Sequence, residues 1–161
     1  MRLLGHREVA VLDGGLKAWI DAGGALESGV AASGKGQYAA RFNNKAITTT
    51  AVVAARLASG NGILIDARAA ERFRGEVEPL DPRAGHVPGA INRPFQQNLD
   101  ENGHFLDSTT LRDQFKAVIG EHPISDVVHM CGSGVSACHN LLAMEHAGLT
   151  GSRIYAGSWS E

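Results

Sequence analysis

The sequence has few cysteines, little net charge and no long apolar run, and each shortage excludes a class of protein. Two cysteines in 161 residues are too few for a disulfide scaffold, so a reducing compartment, the cytoplasm, is the default expectation. No apolar stretch approaches the ~18–20 residues of a membrane helix, and the first eight residues lack the apolar run of a signal peptide. The net charge of −2 excludes a strongly basic nucleic-acid binder. We therefore expect neither a nucleic acid nor a membrane as partner.

The residues that are present predict one folded domain preceded by a less regular segment. Hydrophobic residues make up 43% and charged residues 20% of the chain, which favours a folded core over disorder. Residues 9–12 predict a short buried strand, and residues 16–22 predict a short helix that carries Trp19. Residues 23–36 are rich in Gly, Ala and Ser without periodicity, which is typical of a linker. One strand and one short helix cannot bury their own apolar faces, so we expect this segment to be the end of something larger or an arm on the main body.

From residue 46 onwards, apolar runs and amphipathic stretches alternate along the chain. The predicted strands are 63–65, 90–92, 126–130 and 153–155. The predicted helices are 51–59, 67–73, 109–119 and 137–147. Alternating strands and helices predict an α/β fold with a mostly parallel central sheet.

The loop after the predicted strand at 126–130 carries the clearest chemistry. Cys131 follows that strand, and Gly132 and Gly134 come directly after it. Ligands of open α/β sheets bind beyond the carboxyl ends of the strands. The two glycines let the backbone turn tightly, and its N–H groups together with the following helix N-terminus make an anion-holding concavity. Such a site favours the thiolate of Cys131, so the loop predicts a nucleophile that needs neither a metal nor an organic cofactor.

Cys131 also admits two other interpretations. It can be a small buried hydrophobe, the usual environment of a free cysteine. A zinc site is the second, although its spacing fits no closed tetrahedral pattern; its ligands would be His129, Cys131, Cys138 and His139. Cys138 itself is expected in the core of the helix, about 10 Å along it from Cys131 and too far for a disulfide.

Phosphate chemistry is a weaker interpretation of the same loop. A thiol phosphatase places an arginine six residues after its cysteine, where this chain has Ala137. No Lys or Arg occurs anywhere in residues 131–144. The loop also lacks the third glycine of a dinucleotide fingerprint and the Gly-Lys-Ser/Thr of a P-loop.

Several segments together carry a resemblance to a known family. The first reads Ile-Asp-Ala-Arg at 65–68, followed by Arg-Phe-Arg-Gly at 72–75, and the second reads Gly-His-Val-Pro-Gly-Ala-Ile-Asn at 85–92. The third is the cysteine loop at 131–136, and the last reads Tyr-Ala-Gly-Ser-Trp-Ser-Glu at 155–161. In this order they resemble the rhodanese family of sulfurtransferases, most closely the C-terminal catalytic domain of two-domain thiosulfate/3-mercaptopyruvate sulfurtransferases. The resemblance implies a rhodanese-like domain, with helices on both faces of the sheet.

The resemblance also implies a domain organisation. Residues 45–161 are the catalytic domain, residues 1–22 are the remnant of a preceding inactive rhodanese-like domain, and residues 23–44 are the linker between them. In the family the active site lies between two domains, and the first domain supplies part of its lining. The alternative is therefore an inactive half-protein, or a sulfur-carrier or binding module, that needs the missing N-terminal domain or self-associates.

The activity implied by the resemblance is a double displacement. Cys131 takes a sulfur atom from a small-molecule donor, 3-mercaptopyruvate or thiosulfate, and passes it as a persulfide to cyanide or a thiol acceptor. An uncharged Cys-Gly-Ser-Gly-Val loop favours mercaptopyruvate within the family. Arg72 matches the family's substrate-binding arginine, and Arg83 is a weaker match to a second one. The expected substrate-binding residues are Arg72, Arg83, Gly132, Ser133, Gly134, Val135 and Ser136.

Surface ion pairs are the other role open to the two arginines, since residues 66–93 hold five arginines and five acids. Ser133 has an alternative role as the cap of the following helix. Asp66 and Arg68 are expected to fix loops, and His86 is expected to hold its own turn.

Overall fold

Five parallel strands form one sheet in the computed structural model, which describes residues 1–30, 34 and 36–161. In chain order they are β1 (Ile47–Thr48), β2 (Ile63–Asp66), β3 (Ile91–Asn92), β4 (Val127–Met130) and β5 (Arg153–Tyr155). The order across the sheet is β1-β5-β4-β2-β3, and all neighbours run parallel. β4 therefore lies at the centre, and the residue that follows it leaves the sheet between two neighbouring strands.

The helices are α1 (Gly15–Asp21), α2 (Thr50–Ala58), α3 (Ala70–Arg74), α4 (Ser108–Ile119) and α5 (Val135–His146). Local chemistry sets their ends. The Asp107 carboxylate accepts the N–H groups of Thr109 and Thr110 at the start of α4. In the part of the chain that the structure describes, no helix is both long and apolar enough to cross a bilayer.

Alternation along the strands places helices on both faces of the sheet, as predicted. Ile65 and Val127 pack with α4 and α5, and Phe115 of α4 is fully buried there. Leu64 and Val128 point to the other face, where they pack with Val53 of α2. Both faces of the central strands are covered, which explains their continuous apolar runs.

The N-terminal segment differs from the prediction. α1 forms where the short helix was expected, but residues 9–12 are not a buried strand: the side chains of Val11 and Leu12 are 62% and 55% exposed. This stretch pairs with no strand, and the Asp13 carboxylate attaches it to the body by accepting the N–H of Phe105 at 2.9 Å. Residues 31–33 and 35 of the predicted linker lie outside the described residues.

Two further differences concern the boundaries of elements. β1 was not predicted, because two residues are too short to leave a pattern and are a strand only through their pairing with β5. α5 begins at Val135, two residues before the predicted start, because Gly134 takes the left-handed conformation (φ 83°) and ends the loop early.

Candidate active site

Cys131 lies where the sequence predicts, directly after β4 at the carboxyl edge of the sheet. Its side chain is 2% exposed and packs against Ala67 and Ala137, with Phe95 alongside. Cys131 is not part of a disulfide. A group that reacts here must approach over the loop of residues 131–134, which we call the Cys131 loop.

The Cys131 loop leads straight into a helix N-terminus. Gly134 is the residue before α5, and a Cβ added there would lie 2.7 Å from the carbonyl oxygen of Ala156. Only glycine therefore fits both this φ and this close approach. No side-chain hydrogen bond caps the N-terminus of the 12-residue helix α5, and Ala137 in its first turn packs against Cys131. Uncapped N–H groups at a helix N-terminus attract negative charge.

A second segment, the Ser158–Ser160 turn, holds the Cys131 loop from the side. The backbone N–H groups of Trp159 and Ser160 donate to the carbonyls of Cys131 and Gly132, at 3.0 and 2.9 Å. The N–H of Cys131 donates to Ser158 Oγ at 3.1 Å, and that hydroxyl donates to the carbonyl of Tyr155 at 2.9 Å. These bonds leave the backbone around the sulfur little freedom.

Arg72 reaches the Cys131 loop from α3. A Cβ added to Gly132 would lie 3.5 Å from Arg72 Nη1 and 3.6 Å from Nη2. The same guanidinium is an ion-pair partner: Nη2 lies 2.5 Å from Glu78 Oε1 and 3.3 Å from Asp81 Oδ2. Of the two roles weighed for this arginine, the structure shows the ion pairs, and substrate contact stays a prediction.

Behind Arg72 lies a buried ion pair that connects to it. Arg68 donates Nε and Nη2 to the carboxylate of Asp66, and Nη2 also donates to the carbonyl of Gly85 at 2.7 Å. Its Nη1 reaches Glu78 Oε2 at 3.3 Å, so Glu78 lies between the two arginines. Burial alone would raise the pKa of Glu78, but hydrogen bonds from Arg72 and from two backbone N–H groups outweigh it and hold that pKa below its usual value. Asp66 and Arg68 fix these loops, as expected.

The other predicted residues lie in less definite places. Arg83 is exposed, and its side chain forms no ion pair with any of the described residues; only its carbonyl is used, accepting Trp159 Nε1–H at 2.8 Å. Ser133 and Val135 are exposed and Ser136 is half-buried. Gly134 occupies the capping position of α5, so the alternative of Ser133 as a helix cap is wrong.

The residues considered as zinc ligands lie in different environments. His129 is fully buried on the α4 face, where desolvation lowers its pKa to about 3, and its Nε2 lies 3.2 Å from Ser152 Oγ. Cys138 is exposed rather than in the helix core as predicted, and partial burial of its thiol raises its pKa. Within residues 1–30, 34 and 36–161, no three His, Cys, Asp or Glu side chains form a group that could hold a metal ion.

Sequence reasoning did not identify Glu78, Asp81 and Ser158 as part of this site. The two acids follow Arg72 in an acid-rich loop, which signals an ion pair but not its partner. Ser158 belongs to a quoted motif, but the motif does not indicate that its hydroxyl accepts the N–H of Cys131. It is the one residue other than glycine with a positive φ (56°) in the described part of the chain.

Comparison with known proteins identifies the family of this chain. The family model described as a rhodanese-like domain matches residues 49–161. A Pseudomonas aeruginosa protein named "Probable 3-mercaptopyruvate sulfurtransferase" is 46% identical over 159 residues, covering 98% of this chain and 56% of that protein. The thiosulfate sulfurtransferase of Gallus gallus is 33% identical over 162 residues, covering 99% of this chain and 55% of that protein.

Solved structures agree with the family match. The crystal structure of the 3-mercaptopyruvate sulfotransferase SseA from Escherichia coli superposes with a TM-score of 0.82 at 34% identity, covering 99% of this chain and 60% of that one. The chain therefore spans about half the length of the curated relatives that it matches.

Proposed function

Because the chain belongs to the rhodanese-like domain family, we propose that it transfers a sulfur atom from a small anionic donor to an acceptor through a persulfide on Cys131. The observation that carries the proposal is the position of Cys131: a buried thiol at the carboxyl end of the central strand, packed against Ala137 in the first turn of α5, with the Arg72 guanidinium next to the neighbouring Gly132. Fixed N–H dipoles stabilise a negative sulfur without any proton transfer.

The reaction consists of two displacements at sulfur. In the first, the Cys131 thiolate attacks the donor sulfur. The bond from that sulfur to the rest of the donor breaks, and sulfite leaves thiosulfate, or the enolate of pyruvate leaves mercaptopyruvate and is then protonated. In the second, cyanide or a thiolate attacks the outer sulfur of the persulfide, and the Cys131 thiolate leaves. The Cys131 sulfur is the nucleophile in the first displacement and the leaving group in the second. In both roles it carries negative charge, which fixed N–H dipoles stabilise.

Mercaptopyruvate is the favoured donor, with thiosulfate second. The Cys131 loop carries no charged residue, and the nearest guanidinium, that of Arg72, already has two carboxylate partners. A donor with one carboxylate needs less positive charge in its binding site than a dianion does. Arg72 supplies the donors that a carboxylate accepts in the bidentate arrangement. Gly132 to Ser136 would line the donor's path, and Arg83 would approach it from solvent.

The domain assignment supports a second candidate, a half-protein that works only with a further domain. We propose that residues 45–161 are the catalytic domain, that residues 1–22 belong to a preceding rhodanese-like domain, and that 23–44 link them. The relatives align over 98–99% of this chain, its first residues included. Apolar side chains exposed in residues 1–44 include those of Val11, Leu12, Leu16, Trp19, Ile20, Leu26, Val30 and Phe42. Such a surface favours a covering domain or self-association. A reducing compartment, the cytoplasm, fits the two free thiols.

Mass spectrometry of the protein after donor treatment tests the transfer. We expect mercaptopyruvate, and less readily thiosulfate, to add one sulfur atom to the peptide that carries Cys131. Cyanide should then release that atom as thiocyanate. Cys131→Ser should abolish thiocyanate formation, whereas Cys138→Ser, the matched control at the other thiol, should retain it. Full activity of the Cys131→Ser variant would reject the mechanism.

The same assay separates the two candidates. If the chain alone is loaded with sulfur but turns over only when the N-terminal domain of a relative is added in trans, the half-protein candidate holds. If the added domain changes nothing and the chain turns over alone, residues 45–161 are sufficient.

A further inference from the structure

The carboxylates around the guanidinium groups of Arg68 and Arg72 outnumber those two groups. Glu78 is 4% exposed and contacts both Arg68 and Arg72. Asp66 already pairs with Arg68. Asp81, with a side chain 10% exposed, therefore brings a third carboxylate to two guanidinium groups. Its Oδ2 lies 3.3 Å from Arg72 Nη2.

Asp81 is held in that position from its other oxygen. Ser160 Oγ donates to Asp81 Oδ1 at 2.7 Å, and the N–H of Ser160 donates to the carbonyl of Gly132 in the Cys131 loop. The carboxylate is thus attached both to the arginine and to the turn that supports the loop. A surplus charge held this close to a reaction centre acts on every ion that approaches it, and low exposure weakens its screening.

We propose that Asp81 sets the charge that an anion meets at Cys131, and thereby disfavours doubly charged donors relative to singly charged ones. The effect on sulfur donors rests on the proposed function, whereas the electrostatic effect on an approaching anion does not. Its physical basis is Coulomb's law: removing one negative charge lowers the electrostatic energy of each approaching anion in proportion to that anion's own charge. At a separation of ~10 Å and an effective dielectric constant of ~40–50, one unit charge changes the rate about threefold per unit of ligand charge.

Asp81→Asn is the test, because the amide keeps an oxygen for the Ser160 hydroxyl and removes only the charge. Glu76→Gln is the matched control: it makes the same change of charge in the same loop, at a residue 57% exposed and paired with Arg74. Both variants are made together with Cys138→Ser, so that Cys131 is the remaining thiol. The first measurement needs no turnover: the rate of Cys131 alkylation by anionic iodoacetate divided by the rate with neutral iodoacetamide.

We expect Asp81→Asn to raise that ratio about threefold, and the gain to shrink as salt is added, because mobile ions screen the interaction. The value of kcat/KM should rise about threefold for mercaptopyruvate and about ninefold for thiosulfate. Glu76→Gln should change the alkylation ratio by far less than Asp81→Asn.

Two results would overturn the inference. One is an unchanged alkylation ratio in Asp81→Asn; the other is an equal change with both reagents and both donors, which would assign Asp81 to holding Arg72 in place. A raised alkylation ratio in a protein that no donor loads with sulfur would reject the proposed function and leave the electrostatic assignment standing.

Discussion

Two neighbouring strands of the same sheet end at the same level and continue very differently. β2 and β4 pair in parallel, with Asp66 opposite Met130. β2 ends at Asp66, and Arg68 follows two residues later; the charges of the two side chains pair in the interior. β4 continues into Cys131 and two glycines, with no charged side chain before α5. One strand end supplies charge and the other supplies the reactive sulfur.

The site therefore depends on charged side chains after β2 and on the backbone after β4. After β2, the position of Arg72 depends on ion pairs. Removing one partner of a buried ion pair is strongly destabilising. After β4, the environment of Cys131 depends on backbone N–H groups, and these depend on glycine conformations. Changes at the first strand end should therefore act through stability and donor binding, and changes at the second through the geometry around the sulfur.

The largest effect is expected from Arg68→Met. This change leaves Asp66 buried without its partner, and breaking a buried pair costs about 3–5 kcal/mol of unfolding free energy. Chemical denaturation measures the loss. Arg74→Met is the matched control, since its partner Glu76 is exposed and little change in stability should result. Similar losses of unfolding free energy in both variants would show that the buried pair stabilises the fold no more than the exposed pair does.

Gly134→Ala tests the other strand end, and we expect it to cost about 2–4 kcal/mol and to slow persulfide formation. Its Cβ would meet the carbonyl of Ala156 at 2.7 Å in a left-handed conformation. At Gly132 the nearest atom to a new Cβ is Arg72 Nη1 at 3.5 Å, an ordinary contact. Gly132→Ala should therefore fold normally. Equal stability of the two variants would contradict the role assigned to the backbone turn.

The two strand ends also differ in how far the sequence predicts them. The Cys131 loop follows from local signals, an apolar run, a cysteine and two glycines, and the structure places it as expected. The partners of Arg72 are only six and nine residues away, but they lie in an irregular loop that leaves no pattern in the sequence. The partner of Ser160 does not follow, because Asp81 and Ser160 are 79 residues apart and meet only through the sheet topology. β1 was missed for the same reason, as Ile47 pairs with Ile154. Residues 9–12 show the opposite error: their apolar run looks like a strand, but no neighbour pairs with it.

Arg72→Ala is expected to raise KM for mercaptopyruvate about tenfold or more, because a charge-assisted hydrogen bond is worth about 1.5–3 kcal/mol. Arg83→Ala should change KM less than twofold, since its side chain is exposed and forms no ion pair with any described residue. Steady-state kinetics at constant salt checks both. A rise with Arg83→Ala alone would mean that the donor lies further out, above the acid-rich loop.

The smallest effect, and the one that separates geometry from stability, is expected at Ser158. Ser158→Ala and Ser158→Gly both remove the hydroxyl that accepts the N–H of Cys131. They differ in strain, because φ is 56° and only glycine adopts it freely. Ser158→Gly should thus be about 1 kcal/mol more stable than Ser158→Ala. If the hydroxyl positions Cys131, both variants should form the persulfide equally slowly, about three- to tenfold below the original protein, in single-turnover measurements. If the rate instead recovers along with stability in Ser158→Gly, the hydroxyl serves folding, and the N–H of Cys131 needs no fixed partner for the reaction.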